Sequence, residues 1–300
     1  MHAQHDVEQE IKTLRLSVFL YIFVFALKVG AYFVTGVMAL LAEGLHTLSD
    51  IFVSGFLLIA LRWSRKAPDQ VHMFGYGRTQ YVAAIVAATL FISFTSFELY
   101  RESIPRLFKH DGEPPTNVAV ALGVLVFSML LALVPLVSLL RQKTRGAAAR
   151  AQLMELVNDQ LGLLAALVGT LFVQRGVAIA DPLASIVVAT IIGVNGALLF
   201  KENLSALVGR SPGSNVLEKM KAIAASVEGV LRVHKLRAQL IGPGMVQGEM
   251  HVEVAHGIPI EKADLVAREV TRRVRDETEC RDLLVHVDPL GHMPGGPERT

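Results

Sequence analysis

Long uncharged apolar runs fill the first two thirds of this chain, and they limit its possible folds more than any other feature. Six runs approach membrane-spanning length, at roughly residues 16–36, 39–61, 81–99, 117–140, 151–173 and 178–200. A helix needs about 20 apolar residues to cross a bilayer. With 52% hydrophobic residues in 300, the chain is too apolar for a soluble protein of this size. We therefore predict a membrane all-α six-helix bundle in a lipid bilayer.

Basic residues are distributed unevenly between the two sides of these runs, which predicts the orientation. An even number of spans places both termini on one side of the membrane. That side would contain Arg62, Arg65, Lys66, Arg78, Arg141, Lys143, Arg145 and Arg150, and the other side only Arg101, Arg106, Lys109 and Arg175. Because Lys and Arg concentrate in cytoplasmic loops, we expect a multi-pass protein of the cell membrane with cytoplasmic N- and C-termini.

The last third of the chain has the composition of a soluble domain. Its periodicity predicts a helix from 215 to 227, strands at 230–241 and 246–254, a helix at 260–278 and a strand at 282–287. This αββαβ order is typical of a small ferredoxin-like α+β domain. The predicted organisation is a cytoplasmic N-terminal segment (1–15), a six-helix transmembrane domain (16–200) and a cytoplasmic regulatory or dimerisation domain (201–300).

Several classes of function are disfavoured by the same sequence. The net charge of +2 gives no strong basic field, so we expect no nucleic-acid partner. The single cysteine, Cys280, excludes an intramolecular disulfide framework and a Cys-rich zinc site. No His-Glu-x-x-His helix or phosphate-binding loop is found, so we expect neither an enzyme nor a prosthetic group.

Ionisable residues inside the predicted spans indicate the functional site. His46 and Asp50 are spaced i and i+4 in the second span, and Glu155 and Asp159 repeat that spacing in the fifth. Residues four apart lie on one face of a helix. Such residues are expensive in a membrane and usually line a cavity, pair with each other or bind something. A buried ion pair is the alternative for one isolated pair, but two pairs on separate spans favour a binding site.

One imidazole and three carboxylates are a suitable tetrahedral ligand set for Zn²⁺ or a related divalent ion. These groups must lose protons to bind metal, so a site that faces each side of the membrane in turn predicts proton antiport. Lys28 in the first span remains open between two interpretations, a counter-ion for one of the acids or a side chain that extends to the membrane surface.

With these pairs and the segment Pro68-Asp69-x-x-His72-x-Phe74-Gly75-Tyr76-Gly77-Arg78, nearly the whole chain resembles the cation diffusion facilitator family. The resemblance implies a homodimer that exchanges a divalent metal for protons. It also implies that His46, Asp50, Glu155 and Asp159 form the transport site.

The chain departs from the family pattern at three places. Many zinc-transporting members have histidine where Glu155 stands, so the harder, oxygen-richer site leaves Fe²⁺, Mn²⁺ and Co²⁺ possible beside Zn²⁺. A metal site in the loop would use Asp69 and His72, but Tyr76 occupies its last position, and the alternative is that these are ordinary loop residues. Gly209 replaces the acid that in some members pairs with a basic residue at the position of Arg78.

The cytoplasmic domain contains a second candidate metal site. In the second strand Met250, Val252 and Val254 alternate with Glu249, His251 and Glu253, which predicts one packed and one polar face. His234, His251, His286 and Asp288 match family positions and would bind a regulatory metal, such as Zn²⁺, across the sheet or a dimer interface. The alternative is that these histidines are solvated side chains of the sheet and bind no metal. Asp264 stands where some members have a further histidine.

Two functional hypotheses follow. The first is a divalent metal exporter driven by protons. The second is a non-transporting regulatory or partner subunit that keeps the fold and acts through its cytoplasmic domain. The four-ligand set in the membrane favours the exporter.

Overall fold

The computed structural model describes residues 2–35, 38–108, 118–142, 146–174 and 179–291. The chain divides into two compact units, Met1–Leu204 and Ser205–Thr300. The regular elements described in the first unit are all helices, and the second unit contains a three-stranded sheet with helices.

The helices of the first unit correspond to the predicted apolar runs. They are α1 (His2–Thr35), α2 (Met38–Trp63), α3 (Thr79–Leu90), α4 (Phe97–Phe108), α5 (Val118–Leu140), α6 (Ala147–Gln174) and α7 (Ala180–Leu207). A π-helical segment, Phe91–Ser96, joins α3 to α4, and the residues on either side of it keep helical backbone angles. The third predicted run is therefore one longer helix with a π-helical turn in its middle.

Three helical segments among the described residues are long and apolar enough to cross a membrane, namely Glu8–Ala31, Thr79–Pro105 and Pro182–Leu207. A shorter apolar helix, Val126–Leu140, accompanies them. A membrane-spanning helical unit is thus confirmed, whereas the count of six spans stays a prediction.

Helix α1 begins well before the predicted first span and buries one continuous stripe. The stripe contains Glu10, Leu14, Ser17, Tyr21, Val24 and Lys28, spaced alternately four and three residues apart. This spacing keeps the side chains on one face of a helix. Phe19, Ile22 and Phe23 are exposed on the other side, as expected for a lipid-facing surface. A polar stripe in an apolar helix therefore faces the interior of the bundle.

Helices α1, α5 and α6 share a small apolar core. Tyr21 packs there with Leu136, Leu139, Ala149 and Leu156. Near it, the Thr13 and Ser138 hydroxyl oxygens lie 3.0 Å apart and join α1 to α5. The Glu10 carboxylate accepts a 2.6 Å hydrogen bond from the Gly146 amide at the start of α6. These contacts fix the position of α1 against the helix that contains Glu155 and Asp159.

The second unit confirms the predicted αββαβ order, with α8 (Ser214–Ala225), β1 (Arg232–Gly242), β2 (Met245–Val254), α9 (Ile260–Glu277) and β3 (Cys280–Pro289). The sheet order is β1-β2-β3. Strands β1 and β2 are antiparallel and joined by Pro243 and Gly244, whereas β2 and β3 are parallel and joined through α9. Gly244 adopts a φ of +63°, which glycine tolerates best.

The sheet has the predicted buried face. Met250, Val252 and Val254 are buried with Met220 of α8 and Val270 of α9. The opposite face is less uniform than expected, because Glu253 is only 4% exposed beside the exposed Glu249. Cys280 begins β3, three residues after the end of α9, and is buried in the same core. Burial raises the pKa of its thiol.

Candidate metal centres

The acids of α2 and α6 come together in the first unit. Asp50 and Glu155 are buried, and Asp159 is partly buried. Both aspartates are close enough to Glu155 to interact with it electrostatically. The backbone of His46 lies in α2 one turn before Asp50, but its side chain is outside the described residues. Three of the four predicted transport-site residues are therefore neighbours.

Two hydroxyl groups that were not predicted as site residues hold the acids of α6. Ser54 Oγ donates a 3.0 Å hydrogen bond to Glu155 Oε2, and Tyr21 Oη donates a 2.7 Å hydrogen bond to Asp159 Oδ2. A sequence signal exists for Ser54, which continues the i, i+4 spacing of His46 and Asp50. Tyr21 lies seven residues before Lys28, on the stripe of α1 that the structure shows to be buried.

Lys28 is 4% exposed, and its Nζ donates a 2.9 Å hydrogen bond to Thr47 Oγ1 in α2. Its ammonium group therefore lies between helices, which disfavours the interpretation that it extends to the membrane surface. Thr47 follows His46 directly, so this contact joins α1 to the ligand-bearing segment of α2.

The loop between α2 and α3 gives Asp69 a structural role. Asp69 Oδ1 accepts hydrogen bonds from the amides of Val71 and His72, at 2.9 and 2.7 Å, and Oδ2 accepts one of 2.6 Å from Tyr76 Oη. The hydrogen bond from Tyr76 is the main cause of the lowered pKa of Asp69. Both carboxylate oxygens thus stabilise the turn, which supports the interpretation of Asp69 and His72 as ordinary loop residues. His72 Nδ1 lies 3.8 Å from Asp69 Oδ1, and a loop metal site at these two residues stays a prediction.

Three histidines form a row across the sheet of the second unit. His234 pairs with His251 on β2, and His251 pairs with His286 on β3. A bulge follows His234, where Lys235 adopts a φ of +47°. The ring centroids of His234 and His251 are 5.3 Å apart, and those of His251 and His286 are 4.6 Å apart. The register therefore brings together residues that are far apart in sequence.

Asp288 lies at the centre of this cluster and is 5% exposed. Its Oδ2 is 2.8 Å from His251 Nδ1 and 3.3 Å from His234 Nε2, and its Oδ1 is 3.1 Å from His286 Nε2. Burial alone would raise the pKa of Asp288, but the hydrogen bond from His251 and the neighbouring imidazoles lower it. The carboxyl group is therefore anionic at neutral pH, as a metal ligand must be.

Three of the four predicted cytoplasmic ligands thus meet in one place, and the fourth, His286, contacts Asp288. In the described part of the chain, His234, His251 and Asp288 form the group of three whose ligand atoms all lie within 4.8 Å of one another. Glu253 is a further buried acid at this site, since its Oε1 lies 3.6 Å from His234 Nδ1. The alternating pattern placed Glu253 on this face but gave no sign that it would be buried.

Comparison with protein families supports what the two units indicate. Residues 14–208 match the model of the cation efflux transmembrane domain, and residues 212–290 match that of the cation efflux protein cytoplasmic domain. The chain belongs to the cation diffusion facilitator family. The resemblance inferred from the sequence is thereby confirmed, and the protein is a cation efflux transporter of the membrane.

Named relatives of this facilitator cover most of its length. The cation-efflux pump FieF of Serratia proteamaculans is 27% identical over 270 residues, 90% of this chain and 89% of that protein. The magnetosome protein MamB of Magnetospirillum gryphiswaldense is 28% identical over 257 residues, 85% of this chain and 86% of that protein. A solved MamM CTD structure is 24% identical, with a TM-score of 0.24, over 25% of this chain and 92% of that one.

The structure gives local roles to two residues discussed from the sequence. Gly209 follows α7 with a φ of +95°, a conformation that favours glycine. Asp264 forms a 2.7 Å ion pair with Arg268 one turn along α9. Asp264 therefore has a role in stabilising an exposed helix.

Proposed function

We propose that this facilitator exports a divalent transition metal from the cytoplasm in exchange for protons, with His46, Asp50, Glu155 and Asp159 as the transport site. The observation that supports this most is the approach of Asp50, Glu155 and Asp159 from two helices inside the membrane unit. Like charges in a buried place repel each other, so they need a cation or protons there. Metal and protons would then neutralise the same carboxylates in turn.

Zn²⁺ is the proposed main substrate, and Fe²⁺, Mn²⁺ and Co²⁺ are the proposed alternatives. One imidazole and three carboxylates can bind zinc tetrahedrally. The glutamate at position 155 makes the set harder than a two-histidine site, which reduces the discrimination against ions that prefer oxygen.

We further propose that the cytoplasmic cluster of His234, His251, His286 and Asp288 holds a regulatory metal ion and that the protein is a homodimer. The ligands fit this role, because imidazole nitrogens and a carboxylate oxygen suit Zn²⁺ and the three strands of this chain's sheet contribute them. A bound ion would stabilise the sheet and, when shared, would draw two domains together. Native mass spectrometry in detergent should show a particle of twice the chain mass.

The proposed orientation places both termini in the cytoplasm. We expect an impermeant thiol reagent added outside intact cells to label Asp111→Cys and to leave Glu261→Cys unlabelled, because Glu261 lies exposed on the cytoplasmic unit. The native Cys280 should add little background, since it is buried and its thiol pKa is raised. If the reagent labelled Glu261→Cys and not Asp111→Cys, the orientation would be the opposite of the proposed one.

Transport itself is tested with purified protein in liposomes that contain a metal-sensitive dye. We expect a pH gradient to drive uptake of Zn²⁺, and to a smaller extent of Fe²⁺, Mn²⁺ or Co²⁺, and metal entry to move protons in the opposite direction. Metal uptake that does not depend on the pH gradient would contradict proton antiport. No uptake of any of the four ions would favour the non-transporting subunit instead.

A further inference from the structure

We propose that Tyr21 is a positioning residue that sets which metal ions the transport site prefers, an inference that rests on the proposed transport role of Asp159. Tyr21 lies on α1, a helix to which the sequence assigned no ligand. Its phenol donates a 2.7 Å hydrogen bond to Asp159 Oδ2 on α6. A third helix therefore touches the carboxylate that the metal would bind.

The Tyr21 side chain is buried in the apolar core of the first unit. The residue is 7% exposed, and its ring packs with Leu136 and Leu139 of α5 and with Leu156 of α6. A buried tyrosine hydroxyl normally finds one polar partner. Here that partner is a proposed ligand, so the surrounding apolar core determines where one oxygen of Asp159 lies.

A carboxylate with one oxygen engaged in a short hydrogen bond is restrained to bind metal through its other oxygen. Single-oxygen binding suits a four-coordinate ion such as Zn²⁺. Ions that prefer six or more oxygen ligands, such as Mn²⁺, gain from carboxylates that offer both oxygens. By engaging Oδ2, Tyr21 favours Zn²⁺ over Mn²⁺ at a site that Glu155 makes oxygen-rich.

Tyr21→Phe tests this inference because it removes the hydroxyl and keeps the packed ring. In liposomes we expect the KM for Zn²⁺ to rise about 10- to 100-fold, the range typical of lost outer-shell partners of a metal ligand. The KM for Mn²⁺ should change much less, and the maximal rates for both ions should stay close to the parent's. The preference for Zn²⁺ over Mn²⁺ should fall about tenfold or more.

Tyr100→Phe is the matched control. The Tyr100 hydroxyl lies 2.6 Å from Thr190 Oγ1, between α4 and α7. The Tyr100→Phe variant should keep the parent's ratio of the KM for Zn²⁺ to the KM for Mn²⁺. An unchanged ratio in Tyr21→Phe, or an equal loss of maximal rate for both ions at constant KM, would overturn the proposal.

Equilibrium binding separates this inference from the proposed transport. Zn²⁺ and Mn²⁺ are titrated into the solubilised full-length chain carrying Asp288→Asn, which removes the cytoplasmic cluster, with and without Tyr21→Phe. A weaker affinity for Zn²⁺ relative to Mn²⁺ would support the role of Tyr21 even if the parent failed to transport. If the affinity for Zn²⁺ relative to Mn²⁺ were the same with and without the Tyr21 hydroxyl, the inference would be refuted even if the parent transported normally.

Discussion

Replacement of Asp159 by asparagine is expected to abolish proton-driven metal uptake, with a loss of at least about 100-fold in the initial rate below saturation. The change keeps the size of the side chain but removes a charged ligand. Loss of a mere outer-shell partner already costs 10- to 100-fold in metal affinity or activity, so loss of a ligand should cost more. The measurement is the rate of Zn²⁺ entry into liposomes under a fixed pH gradient.

Asp276→Asn is the control for this variant. Asp276 is an exposed acid of α9 that accepts a 3.1 Å hydrogen bond from Arg272, so its neutralisation removes one charge outside both proposed sites. It should transport like the parent. If Asp159→Asn also transported at the parent's rate while remaining folded, the proposed transport site would be wrong.

The second large effect is expected at the cytoplasmic cluster. A metal bound only by the folded state at 100 times its dissociation constant stabilises that state by about 2.7 kcal/mol. In Asp288→Asn we expect this metal-dependent stabilisation to disappear, because the residue contacts all three histidines. Hydrogen exchange of β1, β2 and β3 in the full-length protein, with and without Zn²⁺, measures the effect within each variant.

Asp282→Asn on the same strand provides the comparison. Asp282 is exposed, and its carboxylate lies 3.3 Å from the side-chain nitrogen of Gln247, away from the histidines. Zn²⁺ should protect the sheet of this variant as strongly as that of the parent. Equal protection in Asp288→Asn would show that the ion is bound without Asp288, and no protection in the parent would show that the cluster is an ordinary solvated histidine row.

The sequence was sufficient to predict features that depend on local periodicity. The apolar runs predicted the membrane helices, and the alternation around Met250 and Val252 predicted the buried face of the sheet. The i, i+4 spacing also identified Glu155 and Asp159 as a pair, since residues on one helix face share their surroundings whatever the tertiary fold.

Features that depend on contacts between distant segments were not predictable in the same way. Tyr21 lies in an apolar run where an aromatic residue usually means packing or membrane surface, and only the placement of α1 against α6 shows its hydrogen bond to Asp159. Glu253 belongs to the polar face by alternation. Its burial arises from neighbours on β1 and β3, whose register includes a bulge after His234.

The parallel pairing of β3 with β2 gives the cytoplasmic cluster an order of assembly. Strands β1 and β2 form a local hairpin that contributes His234 and His251, but the central acid, Asp288, comes from the last strand in chain order. Since proteins begin to fold from the N-terminal side during synthesis, the hairpin is available first and the ligand set is completed only when β3 joins. A newly made chain would therefore complete this His and Asp cluster only after its membrane helices have left the ribosome.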